Sequence, residues 1–533
     1  MKIDTSASDR NKELLWIAIV AILTLVLSSI PNWVGYSAET DKLAYKGAFF
    51  DPQDYAVHMS MLRAGMQGDW AYQFRFTAEP HTAAYTRMFY IALGQANRLL
   101  QLDPAILFEA ARWLFGALAL FALYALTKRV FDDARWRKVA FLLAVFGSGL
   151  GWLQLITGWI PGPITPIDFW LIDAYFFFGL ALFPHFSFVT ALLCLAFAFY
   201  LEFLRTANWT RIAWIGAFSI LVQFVNPIAF VLADVTFAAA SLTVWIRERK
   251  LQWKQLAALG ALALTQLPLL IYNFTLLNTD PIWSQFTRQN QTLSPPPVYY
   301  LWGFGLLWLF ALIGTISAFR RNKTALLAST AWVVTGLALA YAPFYIQRRF
   351  LHAVTIPLAL LGTQGLIALS DFASRKSPFL ARRVHGLALF IVFLLSISSV
   401  YLGLGRSLYL RGHPDEFFYP ASLNNALTWL QANAAPNDFV LSAAPSGLLI
   451  AQKTDLRVYL GHEMETLDYP SKSQLVDAFY QGRAGSDWLT DTGVSWALYG
   501  PYEQKLSQGN EFTFPGLEVV YQSGGIVIYR MDR

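Results

Sequence analysis

Long apolar runs recur down this chain at the length of a bilayer crossing, and they constrain its fold more than any motif does. A helix needs about 20 mostly apolar residues to cross roughly 30 Å of hydrocarbon at a rise of 1.5 Å per residue. By that measure about eleven spans begin near Leu14, Ile106, Val139, Phe183, Ile212, Ile228, Leu256, Val298, Ala325, Phe350 and Val384. The chain therefore reads as an α-helical polytopic membrane protein. Its 533 residues are 56% hydrophobic and only 14% charged, and the mean hydropathy is +0.42, whereas a soluble domain carries roughly 25% charged residues. A soluble enzyme, a disordered scaffold and a disulfide-stapled secreted module are excluded. The single cysteine, Cys194, lies in the apolar run 187–204, where it reads as a small buried hydrophobe. The 19 Trp, 24 Tyr and 42 Phe suit a chain with many membrane interfaces to anchor. The net charge of +6 sits in short clusters between apolar runs, so no nucleic-acid partner is expected.

Those clusters set the orientation. One set of loops holds Lys128, Arg129, Arg135, Arg137 and Lys138; Arg205 and Arg211; Arg247, Arg249, Lys250 and Lys254; Arg320, Arg321 and Lys323; and Arg375, Lys376, Arg382 and Arg383. These loops read as cytoplasmic. The opposite set includes 158–182, with no Lys or Arg, and 273–297, with only Arg288. The first run follows Lys2, Arg10 and Lys12 and is too long, without a small-residue cleavage site after it, for a removed signal peptide. A multi-pass protein of the plasma (cytoplasmic) membrane is expected, its N-terminus cytoplasmic. An odd number of spans places the final segment outside, with the first loop, 36–103. One span, 212–225, has only about 14 residues, roughly 21 Å of helix. The turn at Asn226 and Pro227 is then expected below the outer surface, beside a polar cavity or in a tilted hairpin buried by its neighbours.

Two pieces stand outside the spans. Residues 1–404 are expected to form the membrane domain, and 405–533 a small extracytoplasmic α/β domain. In the latter, helical patterns at 423–431 and 472–480 alternate with strand patterns at 439–442, 457–460, 494–499, 517–521 and 526–529. The first loop is the other piece. Asp51-Pro52-Gln53-Asp54-Tyr55 opens a helix with Tyr55, Met59, Leu62 and Met66 on one apolar face, expected to lie along the membrane interface. Gly65 and Gly68 are expected to end it, with Trp70 and Tyr72 as interface anchors.

Asp51 reads in two compatible ways. An Asp before Pro at the first helical position, with an acidic residue three places on, is a helix N-cap with a capping-box-like partner, Asp54. A carboxylate fixed and partly desolvated in this way is also placed to act as a general base toward a hydroxyl or amine.

An Asp four residues before a Tyr, in the first outer loop, opening a helix that ends in Gly68-Asp69-Trp70, with Glu79-Pro80 following, resembles the GT-C membrane glycosyltransferases. The likeness is to the protein O-mannosyltransferases and aminoarabinose transferases, and covers about the first 130 residues. The resemblance implies a multispan enzyme that takes a sugar from a polyprenyl-phosphate donor to an acceptor on the outer side. It places the family's catalytic Asp on Asp51 and its downstream glutamate on Glu79. The family's adjacent acidic pair is here split by Pro52 and Gln53, so Asp51 and Asp54 are both expected to be catalytic, and either can be the base. The acceptor is a glycan, a lipid or a protein.

Further candidates for substrate binding are Tyr55, His58, His81 and His185. Arg348 and Arg349 join them, because paired guanidinium groups on the outer side hold a phosphate by bidentate hydrogen bonds; anchoring to lipid headgroups is their alternative role. His58, Glu79 and His81 are able in principle to bind a divalent cation but have no strong ligand spacing, so no metal site is assigned. Glu109 and Arg112, three apart on a span, are expected to pair with each other. Gly461-His462-Glu463 reads as a polar loop at a strand end. The competing function is a transporter or flippase of a lipid-linked or small solute, and a receptor or scaffold is a third. Transporters carry repeats and mid-span charges, whereas here the charged candidates gather at the outer ends of the spans.

Overall fold

The computed structural model describes residues 7–159, 162–485, 487–508 and 517–531. The chain forms two compact units. The first takes Met1–Pro31, Phe108–Ile271 and Thr292–Leu408; the second takes Asn32–Leu107, Tyr272–Gln291 and Tyr409–Arg533.

The first unit contains most of the apolar helix length. Among the described residues, seven helices are long and apolar enough to cross a membrane: Asn11–Ser37, Pro104–Val130, Pro184–Thr206, Pro227–Glu248, Trp253–Thr279, Thr355–Ser374 and Gly386–Gly412. The number reaches nine if two bent pairs each count as one span. Helices Trp209–Val225 and Thr324–Leu339 are apolar but shorter. Each of the expected spans is thus a helix or a bent pair, and the protein is a multi-pass membrane protein.

The bends have local causes. Ala134–Phe146 and Gly151–Thr157 meet at 53°, and the backbone groups freed there find partners elsewhere in the unit. Ser148 N–H donates to Leu395 O (2.8 Å), Ser399 Oγ to Phe146 O (2.9 Å), and Gly151 N–H to Asp168 Oδ2 (3.1 Å), which Ser398 Oγ also reaches (2.7 Å). Irregular backbone at membrane depth persists only when satisfied in this way. Pro297–Phe304 and Leu306–Arg321 turn by 89° at Gly305, whose φ of 47° and ψ of −130° suit glycine alone. The short helix ends where Asn226 N–H donates to Val222 O (2.7 Å), and Asn226 Oδ1 caps the next helix, accepting from Ile228 N (3.2 Å) and Ala229 N (3.4 Å). Helices Leu306–Arg321 and Thr355–Ser374 touch backbone to backbone: a Cβ on Gly314 would stand 1.8 Å from Leu361 O. Arg112, fully buried, pairs with Glu109 as expected (2.7 Å) and also donates to Ser28 (2.9 Å) and Ser29 (2.6 Å).

The second unit holds two sheets. Strand β1 (Leu43–Tyr45) pairs antiparallel with β2 (Phe418–Pro420). The larger sheet contains β3 (Phe439–Leu441), β4 (Arg457–Val458), β5 (Val494–Tyr499), β6 (Leu517–Ser523) and β7 (Ile526–Met531), in the order β4-β3-β5-β7-β6. β3 runs parallel to β4 and β5, and β7 antiparallel to β5 and β6. Its core includes Leu441, Leu460, Val476, Phe479 and Tyr480.

The segment after Tyr409 shares this unit with the first loop because unpaired edges demand partners. β1 covers β2, and the outer edge of the two-residue β4 donates Val458 N–H to Arg75 O (2.8 Å). Helix Pro52–Gln67 packs on helix Ala444–Lys453, with Arg63 Nε donating to Gln452 O (3.0 Å). That helix does not present a single apolar face. Ten of its 16 residues, from Tyr55 to Gly65, are buried. Nor does Gly65 end it: a Cβ there would meet Ile91 O at 2.2 Å, and one on Gly94 would meet Leu62 O at 2.0 Å, so the two glycines let helix Phe89–Leu100 cross in contact. Gly68, with φ of 105°, is the terminus. Trp70 is exposed, whereas Tyr72 is fully buried and is no interface anchor.

Candidate active site

Pro52 takes the first position of its helix, which has no use for that N–H, and Asp51 caps it. Asp51 Oδ1 accepts from Asp54 N at 3.1 Å. To do so its backbone adopts φ 50° and ψ 62°, a left-handed conformation that Asp tolerates better than most residues but that still stores strain. The Asp51 carboxyl is largely withdrawn from water. Burial, reinforced by the charge of Asp54, pushes its pKa up to about 7; the Asp54 N–H and the charge of His462 pull the other way.

Asp54 meets a residue from far along the chain. His462 Nε2 lies 3.2 Å from Asp54 Oδ1. The other ring nitrogen, Nδ1, accepts from Met464 N (3.1 Å) and Glu465 N (3.2 Å), which assigns the ring proton to Nε2, the nitrogen facing Asp54. Burial alone would depress the imidazole pKa, but the hydrogen bond and charge of Asp54, with Glu465 and Asp51, outweigh it and raise the value. Three residues on, Glu465 accepts from Tyr72 OH (2.6 Å) and from Arg87. Arg87 in turn has a φ of 57° and faces the rings of Tyr72 and Phe286 at 5.8 and 5.9 Å. An acidic pair, a histidine donor and a half-buried guanidinium are thus gathered within one unit.

Glu79 belongs to an adjoining network. It pairs with Lys472 (2.6 Å) and accepts from Thr77, while Lys472 Nζ lies 5.0 Å from the Tyr459 ring centroid. Burial pushes Glu79 up, but the Lys472 and Thr77 donors prevail and hold its carboxyl below the usual range. His81 uses both nitrogens on backbone: Nδ1 donates to Glu79 O (2.8 Å) and Nε2 accepts from Phe74 N (2.9 Å). Burial lowers its pKa. His58 is buried and stacked on Tyr90 at 4.3 Å. Tyr55 is buried with its ring against Gly47, where φ is 93° and a Cβ would come within 2.5 Å. Among the described residues no group of three His, Cys, Asp or Glu is arranged to hold a metal ion.

The sequence matches no protein-family model and no curated protein. Solved structures do match. ArnT from Cupriavidus metallidurans bound to undecaprenyl phosphate is 13% identical over 97% of this chain and 97% of its own, with a TM-score of 0.54. Archaeal oligosaccharyltransferase AglB from Archaeoglobus fulgidus, in complex with an inhibitory peptide and a dolichol-phosphate, is 13% identical over 91% of this chain and 69% of its own, with a TM-score of 0.50. The fold is that of the GT-C membrane glycosyltransferases. Arabinofuranosyltransferase AftD from Mycobacteria shares it at a TM-score of 0.57 and 15% identity, this chain spanning 40% of its length.

On this GT-C fold the sequence-derived candidates divide between the two units. Asp51, Asp54, Tyr55, His58, Glu79 and His81 belong to the second; His185, Arg348 and Arg349 belong to the first. His185 sits in the first turn of helix Pro184–Thr206, against Phe186 at 4.3 Å. Arg348 and Arg349 lie on the short helix Gln347–Leu351, with the Arg348 guanidinium 5.1 Å from the Trp170 ring centroid. A small cavity of about 10 Å³ in that unit is lined by His352, Ser187 and Thr190 among others, and His352 Nε2 contacts Thr190 Oγ1 at 3.0 Å. Arg87, Tyr72 and Glu465 escaped sequence reasoning as site residues, and His462 entered it only as part of a polar loop. The one local signal was the Gly-His-Glu run directly after a strand.

Proposed function

We propose that this chain is a glycosyltransferase that moves a hexosyl or pentosyl group from a polyprenyl-phosphate donor to an acceptor at the extracytoplasmic face. The observation that carries the reading is the Asp51 and Asp54 pair. One of its carboxyls has a proton affinity poised near neutrality, as general base catalysis at physiological pH requires. The GT-C fold supports it, since ArnT and AglB are seen with undecaprenyl phosphate and dolichol-phosphate. In this scheme an acceptor hydroxyl or amine gives its proton to the carboxylate as its O or N bonds to the anomeric carbon. The bond from that carbon to the donor phosphate oxygen breaks, and polyprenyl phosphate leaves with the electron pair. Arg348 and Arg349 are assigned to the departing phosphate on the chemistry of their guanidinium groups. The alternation of basic loops supports a plasma-membrane topology with the N-terminus inside and the C-terminal segment outside. The test is transfer of radiolabel from a panel of undecaprenyl-phosphate sugars by the full chain in lipid nanodiscs. Transfer by the wild type and its loss in Asp51→Asn are expected; binding of the donor without turnover across the panel, with Asp51→Asn indistinguishable, would overturn the reading.

A further inference from the structure

The loop 461–468 is held on every side within its unit. Leu467 N–H donates to Thr77 Oγ1 (3.3 Å), Gly461 N–H to Thr466 Oγ1 (3.1 Å), and the Gln289 amide to Glu463 O (2.9 Å) and Thr466 O (2.8 Å). Gly461 lies so close to the Phe76 ring that a Cβ would come within 2.6 Å. The loop therefore presents His462 in one orientation. With Nδ1 occupied by two backbone N–H groups, the imidazole offers a single donor, and it points at Asp54.

We propose that His462 is a positioning residue. Its Nε2–H keeps Asp54 ionised, so Asp51 has the higher proton affinity of the acidic pair, and its carboxylate, not that of Asp54, is the base. This rests on the reading of the pair as the site of proton transfer. The groups that face His462 are Asp54 and Asp51 at the helix start, Glu465 on its own loop and the Phe76 ring at 6.0 Å. Arg87 acts in the same sense, since it and Asp54 attract each other. Two carboxyls this close cannot both ionise freely, and the one with the stronger donors keeps its charge. The segment after the last span thereby completes the site rather than decorating it.

The test is an infrared titration of ¹³C-carboxyl aspartate in the full chain in nanodiscs, with Asp51→Asn and Asp54→Asn assigning the bands. It is run beside the pH profile of kcat/KM. In His462→Ala the upper titration of the pair moves to higher pH by about one unit or more. In parallel kcat falls on the order of 10-fold with donor KM nearly unchanged. His462→Gln, whose amide N–H reaches the same place, restores the titration and most of kcat. A His462→Ala titration identical to wild type overturns the proposal, as does a folded His462→Gln that behaves like His462→Ala. Should His462→Ala fail to fold, His462→Phe keeps the ring volume and gives the same reading. A titration that shifts as described in a protein that moves no sugar supports the role of His462 and removes the glycosyltransferase reading instead.

Discussion

Replacing Asp51 with Asn separates the cost of this carboxyl from its use. In the unfolded chain the group ionises at its ordinary 3.8; in the folded protein it ionises at about 7. Between those values the folded state binds the extra proton, so this group's contribution to stability falls as pH rises from about 4 and is lowest above about 7. The full difference corresponds to about 4 kcal/mol at the upper limit, at 1.36 kcal/mol for each pH unit. Asn keeps the side-chain acceptor for Asp54 N–H, tolerates the left-handed φ of 50°, and carries no charge to bury or to repel Asp54. After allowance for the weaker neutral cap, Asp51→Asn is expected to stabilise the protein by about 1–2 kcal/mol at pH 8, or about 1–2 °C in Tm for a chain of this length, and by close to nothing at pH 4. Sugar transfer falls at the same time on the order of 100-fold or more. The assay is thermal unfolding of the nanodisc-embedded chain from pH 4 to 8 alongside radiolabel transfer. Asp51→Ala serves as the control: it shares the pH-dependent gain from losing the carboxyl but, relative to Asp51→Asn, gives up the cap and the side chain that tolerates positive φ, for about 1 kcal/mol each at every pH. A Tm difference for Asp51→Asn that is flat with pH would refute the raised proton affinity, and unchanged transfer would refute the base.

Three further outcomes follow from named contacts. Arg348→Lys loses both the face-on contact with Trp170 and two-pronged phosphate binding, so donor KM should rise about 10-fold if this guanidinium holds the leaving group; unchanged donor affinity in Arg348→Lys, Arg349→Lys and the double variant returns both residues to lipid anchoring. Gly65→Ala drives a methyl group to 2.2 Å from Ile91 O and should cost about 1–3 kcal/mol in thermal unfolding, whereas an unaltered Tm would mean the two helices are not in contact. A reporter fused after Arg533 should be active outside the membrane and one near Lys250 inside; a cytoplasmic C-terminus would mean that one span has been miscounted.

Much of this molecule is encoded over short distances. Apolar run length marks where helices form, because a continuous apolar run of about 20 residues satisfies its backbone in the bilayer only as a helix. Pro52 at the first helical position and Asp54 three residues after Asp51 specify the cap, since a cap is satisfied within its own turn. The Glu109 and Arg112 pair follows from the price of a lone charge among apolar residues. Strand β5 was legible to the residue, 494–499, from alternation and β-branched or aromatic side chains. The depth of the site was not legible. Whether Gly65 stops a helix or admits another depends on Gly94, and whether Tyr72 faces lipid or Glu465 depends on a loop nearly four hundred residues away. His462 looked like any polar residue at a strand end until Asp54, 408 positions earlier, was brought to its Nε2. Local pattern records which residues prefer water and which turns satisfy themselves. Which donor meets which acceptor across the chain is decided only when the edges and faces left over by local structure are matched in three dimensions, and the chemistry of this site was set at that step.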